Sequence, residues 1–133
     1  MSWQTTRRVE FNHVDGANIV FYPRYFEMIS SVIEEYFADH VGYPFDRMHV
    51  TDRRGVPTGR IAVDFRAPSR LGERLEFTLS VDRVGTSSLA LSLRCSHGGE
   101  TRFVAEQVLV RMNLDTLRAE PWPENIRSRL EAT

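Results

Sequence analysis

Apolar residues recur along the chain with two different periods. From Pro23 onward Phe26, Ile29, Ile33 and Phe37 follow at three- and four-residue steps, and Tyr25, Met28, Val32 and Tyr36 do the same one position away. So wide a stripe predicts a largely buried helix, with Glu27, Glu34 and Glu35 on its wet side. Proline is tolerated in a first turn because the amides there lack intrahelical partners. Gly42 and Pro44 end the pattern.

Elsewhere the period is two. Thr5 to Asn12 alternates weakly, with Val9 and Phe11 opposite Glu10 and Asn12. After Pro57, Ile61, Val63 and Phe65 oppose Arg60, Asp64 and Arg66. Leu75, Phe77, Leu79 and Val81 oppose Glu76, Thr78, Ser80 and Asp82, and Leu89, Leu91, Leu93 and Cys95 form a further row. These are strand signatures. His97-Gly98-Gly99-Glu100 reads as a hairpin turn. A long strand follows from Thr101 to about Asn113, apolar on both faces around Val108 to Val110, with Glu106 interrupting the row Val104, Val108, Val110, Met112. Asp46 to Gly55 reads as a polar loop and Pro123 to Leu130 as a short closing helix.

The order is strand, long helix, then four antiparallel strands, an α+β arrangement. One helix cannot cover both faces of a five-stranded sheet. The far face is therefore partly polar or closed by another subunit, and the doubly apolar last strand favours a partner.

With 133 residues the chain fits one domain, 1–133, with a core that needs no staples. An apolar fraction of 41% and a charged fraction of 26% are those of a globular protein. The formal net charge of -1 gives no bulk attraction to nucleic acid or to an anionic membrane. All seventeen basic residues are arginine, so lysine chemistry is excluded. Cys95, the single cysteine, excludes an internal disulfide and a cysteine-based zinc site and fits a reducing compartment. With no signal-peptide pattern and no spanning apolar run, the expectation is a soluble, cytoplasmic protein.

The chemistry concentrates in Phe11 to Phe26. This stretch puts Asp15 in a loop just before the buried helix. Free amides at a helix start form a donor-rich, positively polarised spot, able to hold a carbonyl oxygen as charge develops on it. A nearby carboxylate can attack that carbonyl or activate water. Pattern alone favours a plainer reading, in which Asp15 or Asn18 caps local turns.

The same residues resemble the signature of the 4-hydroxybenzoyl-CoA thioesterase-like group of the hotdog superfamily. Asp15 falls at that family's catalytic Asp, and Ile19-Val20-Phe21-Tyr22-Pro23 matches its entry to the central helix. Val56-Pro57 through Phe65 and Arg66 to Glu73 resemble its second strand and turn, and Val84 to Leu89 its next turn. The ordered set covers most of residues 8 to 113.

The resemblance implies a hotdog fold, a curved five-stranded antiparallel sheet wrapped around one long central helix. It implies a homodimer at least, assembling to a homotetramer, with active sites at the subunit interface. It implies an acyl-CoA thioesterase in which Asp15 is nucleophile or general base and the backbone N–H near Tyr22 polarises the thioester carbonyl. His13, Asn18 and Tyr25, with Thr58 and Gly59 from the partner strand, would contact substrate. Coenzyme A would enter as part of the substrate, and no separate cofactor or metal is expected.

The sequence departs from the family in three places. Asn18 stands where Gly is common, though asparagine also tolerates a left-handed backbone. His13 stands where an acid is common. The basic residues that grip CoA phosphates do not line up at Gly85 to Ser88, which would move phosphate binding to Arg53, Arg54 or Arg70. The alternatives are a non-catalytic acyl-binding hotdog module and a hotdog hydratase, the latter lacking its usual His after Asp15. A cone-shaped fold of ketosteroid isomerase type usually places more helix before its strands.

Overall fold

In the computed structural model, which describes residues 1–133, the wide apolar stripe becomes α1 (Pro23–Tyr36). Its inward residues Tyr25, Met28, Ile29, Val32, Ile33 and Tyr36 are all buried. The chain then widens into π-type turns at Phe37–Val41 and Asp46–Thr51. Gly42, with φ 73°, closes the first of them in the left-handed region.

The strands are β1 (Trp3–Arg8), β2 (Arg54–Gly55), β3 (Thr58–Phe65), β4 (Arg74–Val84), β5 (Ser88–His97), β6 (Glu100–Val110), β7 (Met112–Asn113) and β8 (Arg118–Ala119), followed by α2 (Glu124–Glu131). The main sheet runs β1-β4-β5-β6-β3, antiparallel throughout, and β2, β7 and β8 form a small second sheet. One long helix against five antiparallel strands is the α+β arrangement expected of a hotdog. Leu75, Phe77 and Leu79 of β4, Leu89, Leu91, Leu93 and Cys95 of β5, and Phe103, Ala105 and Leu109 of β6 build the core with α1. Cys95 is core, as its row implied, and burial pushes its thiol up to about 12. The outward face is largely polar, carrying Asp64, Thr78, Ser80, Ser92, Arg94 and Glu106. No helix is long and apolar enough to cross a membrane.

Three sequence expectations are corrected. The first strand ends at Arg8, not Asn12. Val9 exchanges backbone hydrogen bonds with Glu73 and Gly72 instead, and the chain turns out through a 3-10 turn at Phe11–His13 that leaves Phe11 82% exposed. The expected loop at 46–55 holds a helical turn and β2. On β6 the inward row is Phe103, Ala105, Gln107 and Leu109, continuing to Arg111, while Glu106 is exposed. A strand apolar on both faces carries no phase of its own. Here Phe103 and Leu109 face the helix, and the polar Gln107 and Arg111 come inward with them.

β3 is a sheet edge, paired only to β6. Its inward side chains are poorly covered: Ile61 and Val63 are half-buried and Phe65 is 47% exposed.

Candidate active site

The stretch before α1 folds into a small hairpin of its own. Val14 and Val20 bridge, the Asp15 N–H donates to Ile19 O at 3.1 Å, and the Asn18 N–H donates to Asp15 O at 3.0 Å. Asn18 takes φ 63°, so the left-handed turn survives without glycine. The hairpin is fixed to the sheet by the Val20 N–H, which donates to Ser69 O at 2.9 Å, and by an Ile19–Arg70 bridge.

Asp15 is exposed. Its Oδ1 accepts the Ala17 N–H at 2.9 Å, the local turn bond that the plainer reading expected, and its other oxygen has no partner in the chain. The hydrogen bond orients the carboxylate without using it up.

His13 is held by its own loop. Its Nδ1 accepts the Glu10 N–H at 2.8 Å, and its backbone N–H returns a bond to Glu10 O at 2.9 Å. Its Nε2 makes no hydrogen bond within the chain.

Around the helix start the backbone amides are nearly all spoken for. The Phe21 N–H donates to His13 O, the Arg24 N–H to Phe21 O and the Tyr25 N–H to Tyr22 O. Pro23 has none. The Tyr22 N–H alone makes no hydrogen bond within the chain, and it sits at the N-cap of α1. A lone free amide on a helix N-terminus is what an oxyanion site requires.

The Tyr22 ring is 60% exposed, edge-on to Phe21 and to Phe65, whose centroid lies 6.5 Å away. Tyr25 is buried beneath, donating its hydroxyl to Ser69 Oγ at 2.9 Å, and burial raises its pKa. With Ile19, Val20, Phe65 and Pro68, the two tyrosines line a shallow apolar cleft of about 330 Å³.

Thr58 and Gly59 lie elsewhere. They open β3, whose far end is Phe65, so they stand on the order of 20 Å from the Tyr22 ring at roughly 3.3 Å per residue. Thr58 sits on a second chamber of about 220 Å³, walled by Phe26, Ile29, Ile33, Phe45 and Leu109. Gly59 falls at the bulge in the β3–β6 register. His13, Asp15, Asn18, Tyr22 and Tyr25 thus share one segment, the hairpin and the start of α1. Only Tyr22 and Tyr25 line the apolar cleft, while His13 lines a separate cavity with Arg7, Arg8 and Glu27. Thr58 and Gly59 stand at the other end of the edge strand.

Sequence pattern does not single out Gln107. It is 6% exposed and lines the second chamber. Its Nε2 donates to Thr58 Oγ1 at 2.8 Å, and its Oε1 has no partner. Turning the carboxamide over would instead strand the nitrogen, so one polar atom is free either way. The available signal was a glutamine between Ala105 and Leu109, visible only once the strand's phase is known. Arg53 and Arg54, candidates for phosphate, pair with Asp115 at 3.0 Å and Glu120 at 2.7 Å. Arg70 makes no ion pair.

A thioesterase-like superfamily model matches residues 9–130, and the chain belongs to that superfamily, a class of thioester hydrolases. The 1,4-dihydroxy-2-naphthoyl-CoA hydrolase of Synechococcus elongatus is 25% identical over 134 residues, spanning 98% of this chain and 96% of its own. Among solved structures, a 1,4-dihydroxy-2-naphthoyl-CoA thioesterase from Synechocystis superposes with a TM-score of 0.87 at 17% identity, covering 98% and 96% of the two chains. A Staphylococcus aureus protein in complex with CoA gives 0.88 at 18% identity, covering 99% of this chain and 83% of its own.

Proposed function

We propose that this thioester hydrolase cleaves acyl-CoA substrates whose acyl group is aromatic and hydroxylated. The observation that carries the reading is the free Tyr22 amide at the start of α1, in the same segment as a carboxylate with one oxygen unengaged. The thioester carbonyl oxygen accepts from that amide. Either the Asp15 carboxylate takes a proton from water as that water attacks the carbonyl carbon and the CoA thiolate leaves, or Asp15 itself attacks, the thiolate leaves, and water then hydrolyses the acyl–Asp15 anhydride to release the acid and restore the carboxylate.

A second copy completes the site. β3 is an unpaired edge, and two such edges related by a two-fold pair antiparallel. That pairing carries Thr58 and Gly59 of one copy toward Phe65, and hence Tyr22, of the other. It also covers the half-open Ile61, Val63 and Phe65.

The acyl class rests on the second chamber. Its walls are apolar and aromatic, and its one buried unpaired polar atom belongs to Gln107. A hydroxyl on the acyl ring would satisfy it. The relative from Synechococcus elongatus, named for a dihydroxynaphthoyl-CoA, points the same way.

The test is a thiol-release assay comparing benzoyl-CoA with its hydroxylated analogues. The hydroxylated substrates should be preferred by about tenfold, one hydrogen bond's worth, and Gln107→Leu should abolish the preference. A preference for straight-chain acyl-CoA, or one unchanged in Gln107→Leu, contradicts the acyl assignment. Absence of thiol release from every acyl-CoA contradicts the function and favours an acyl-binding module.

A further inference from the structure

The inward row of β6 runs on to Arg111, which is 8% exposed. Its Nε meets no acceptor, and no carboxylate lies within ion-pair distance of its guanidinium. The Tyr43 hydroxyl and, beyond ion-pair distance, the Glu120 carboxylate are the groups that act on it. Burial of a guanidinium so thinly compensated is costly, and an anion beside it offsets that cost.

Arg111 opens into a polar cavity of about 300 Å³ between the turns that follow α1 and the C-terminal helix α2. Arg47 and Arg129 line the same space, against one carboxylate, Asp52. That carboxylate is already engaged. It accepts the Tyr43 hydroxyl and lies 4.0 Å from Arg47 Nε. Arg129 has no ion pair, and its Nη1 donates to Val41 O at 3.1 Å. Gly42 makes room for it, since a Cβ there would fall 2.5 Å from Arg129 Nη1. Three guanidiniums converge on a space holding one occupied carboxylate. No residue of the Phe11–Phe26 segment takes part.

We propose that this cavity binds a phosphate group on Arg111, with Arg129 and Arg47 closing over it. Planar guanidinium forks match phosphate oxygens, and the excess of positive charge suits a dianion. The group is either inorganic phosphate or the phosphomonoester of a nucleotide, such as the one at the 3′ position of CoA. Tyr43 and Arg47 line this cavity while Phe45, between them, lines the acyl chamber. A bound phosphate therefore braces one wall of that chamber. The inference stands apart from the thioesterase reading and is read out without turnover.

The experiment is calorimetry and thermal unfolding of the full chain in phosphate-free buffer, titrated with inorganic phosphate and separately with adenosine 3′,5′-bisphosphate. Saturable binding with a rise in unfolding midpoint is expected for at least one of them. Tighter binding of the bisphosphate assigns the site to a nucleotide; equal or tighter binding of phosphate assigns it to the free ion. Arg111→Gln should weaken binding about tenfold or more, since charge-assisted bonds are lost. Arg129→Gln, exposed on α2, should weaken it measurably and carries the test if the Arg111 variant does not fold. No saturable response to either titrant, or a response unaltered by the substitutions, overturns the proposal.

Discussion

Two segments lie side by side and treat charge in opposite ways. Beneath the turn from Arg66 to Glu73, whose own Arg66 and Arg70 are exposed, one ion pair is sheltered and closely engaged. Arg102, 6% exposed, reaches Glu73 at 2.7 and 3.1 Å and Pro68 O at 2.8 Å, and Glu73 also accepts the Arg70 N–H at 2.6 Å. The bond from Arg102 holds the Glu73 carboxyl down to about 2, well under its ordinary value. The hairpin from Val14 to Val20 rests on this turn through Ser69 and Arg70. There Asp15 is exposed with one oxygen free, and the nearby Tyr22 amide has no partner. The paired charges make a floor, and the groups above it without partners are those the proposed function assigns to the substrate.

That contrast breaks if either segment behaves like the other. The largest effect should come from Asp15→Asn. Asparagine keeps the turn bond to Ala17, so the unfolding midpoint should barely move. Turnover should fall about 10²–10⁴-fold, the usual weight of a general base. A stable variant with unchanged thioester hydrolysis would make Asp15 a turn cap and nothing more.

Glu73→Gln should do the reverse. Removing the Glu73 charge leaves Arg102 only the exposed Glu100 as an ion-pair partner, 2.9 Å from its Nε, and about 2–3 kcal/mol of stability should go, measured by urea unfolding. The pH dependence has a definite sign. Glu73 titrates lower in the folded chain than in the unfolded one, so its contribution is complete above the ordinary value of 4.5 and fades as pH drops toward about 2. Acid should therefore cost the wild type more stability than Glu73→Gln across that window. Equal acid sensitivity would show that the pair is not the anchor.

The smallest effect should be Tyr22→Phe. In the proposed mechanism the polarising group is the main-chain N–H, which phenylalanine retains, so kcat/KM should stay near the wild-type value. A loss matching that of Asp15→Asn would transfer the role to the hydroxyl.

Much of this architecture is legible from residue order, for reasons that differ by element. α1, β4 and β5 announce themselves because each buries one face and wets the other. β6 does not: with valines and leucines on both sides, its period survives but its phase is lost, and Gln107 and Arg111 go unnoticed with it. Phe11 misleads because an aromatic after Val9 looks like a continuing strand, when the hydrogen bonds of Val9 to Gly72 and Glu73 have already turned the chain outward. Asp15 and Asn18 are found through the resemblance of their segment. Their local bonding is that of an ordinary turn, so spacing alone gives them no special standing. The distance between Tyr22 and Thr58 is a property of the folded strand, and no linear pattern contains it.

The central claim is that each site joins the helix start of one copy to the start of β3 in another. Complementation between two inactive variants tests it most directly. Asp15→Asn removes the carboxylate, and Gly59→Trp blocks the exposed start of β3; each is first verified as a dimer by light scattering. In a heterodimer of the two, one site carries both lesions and the other carries neither. Co-expression in equal amounts should restore about a quarter of wild-type hydrolysis, from half the dimers with one intact site each. Activity no higher than that of the parent variants would mean that the site lies within a single chain.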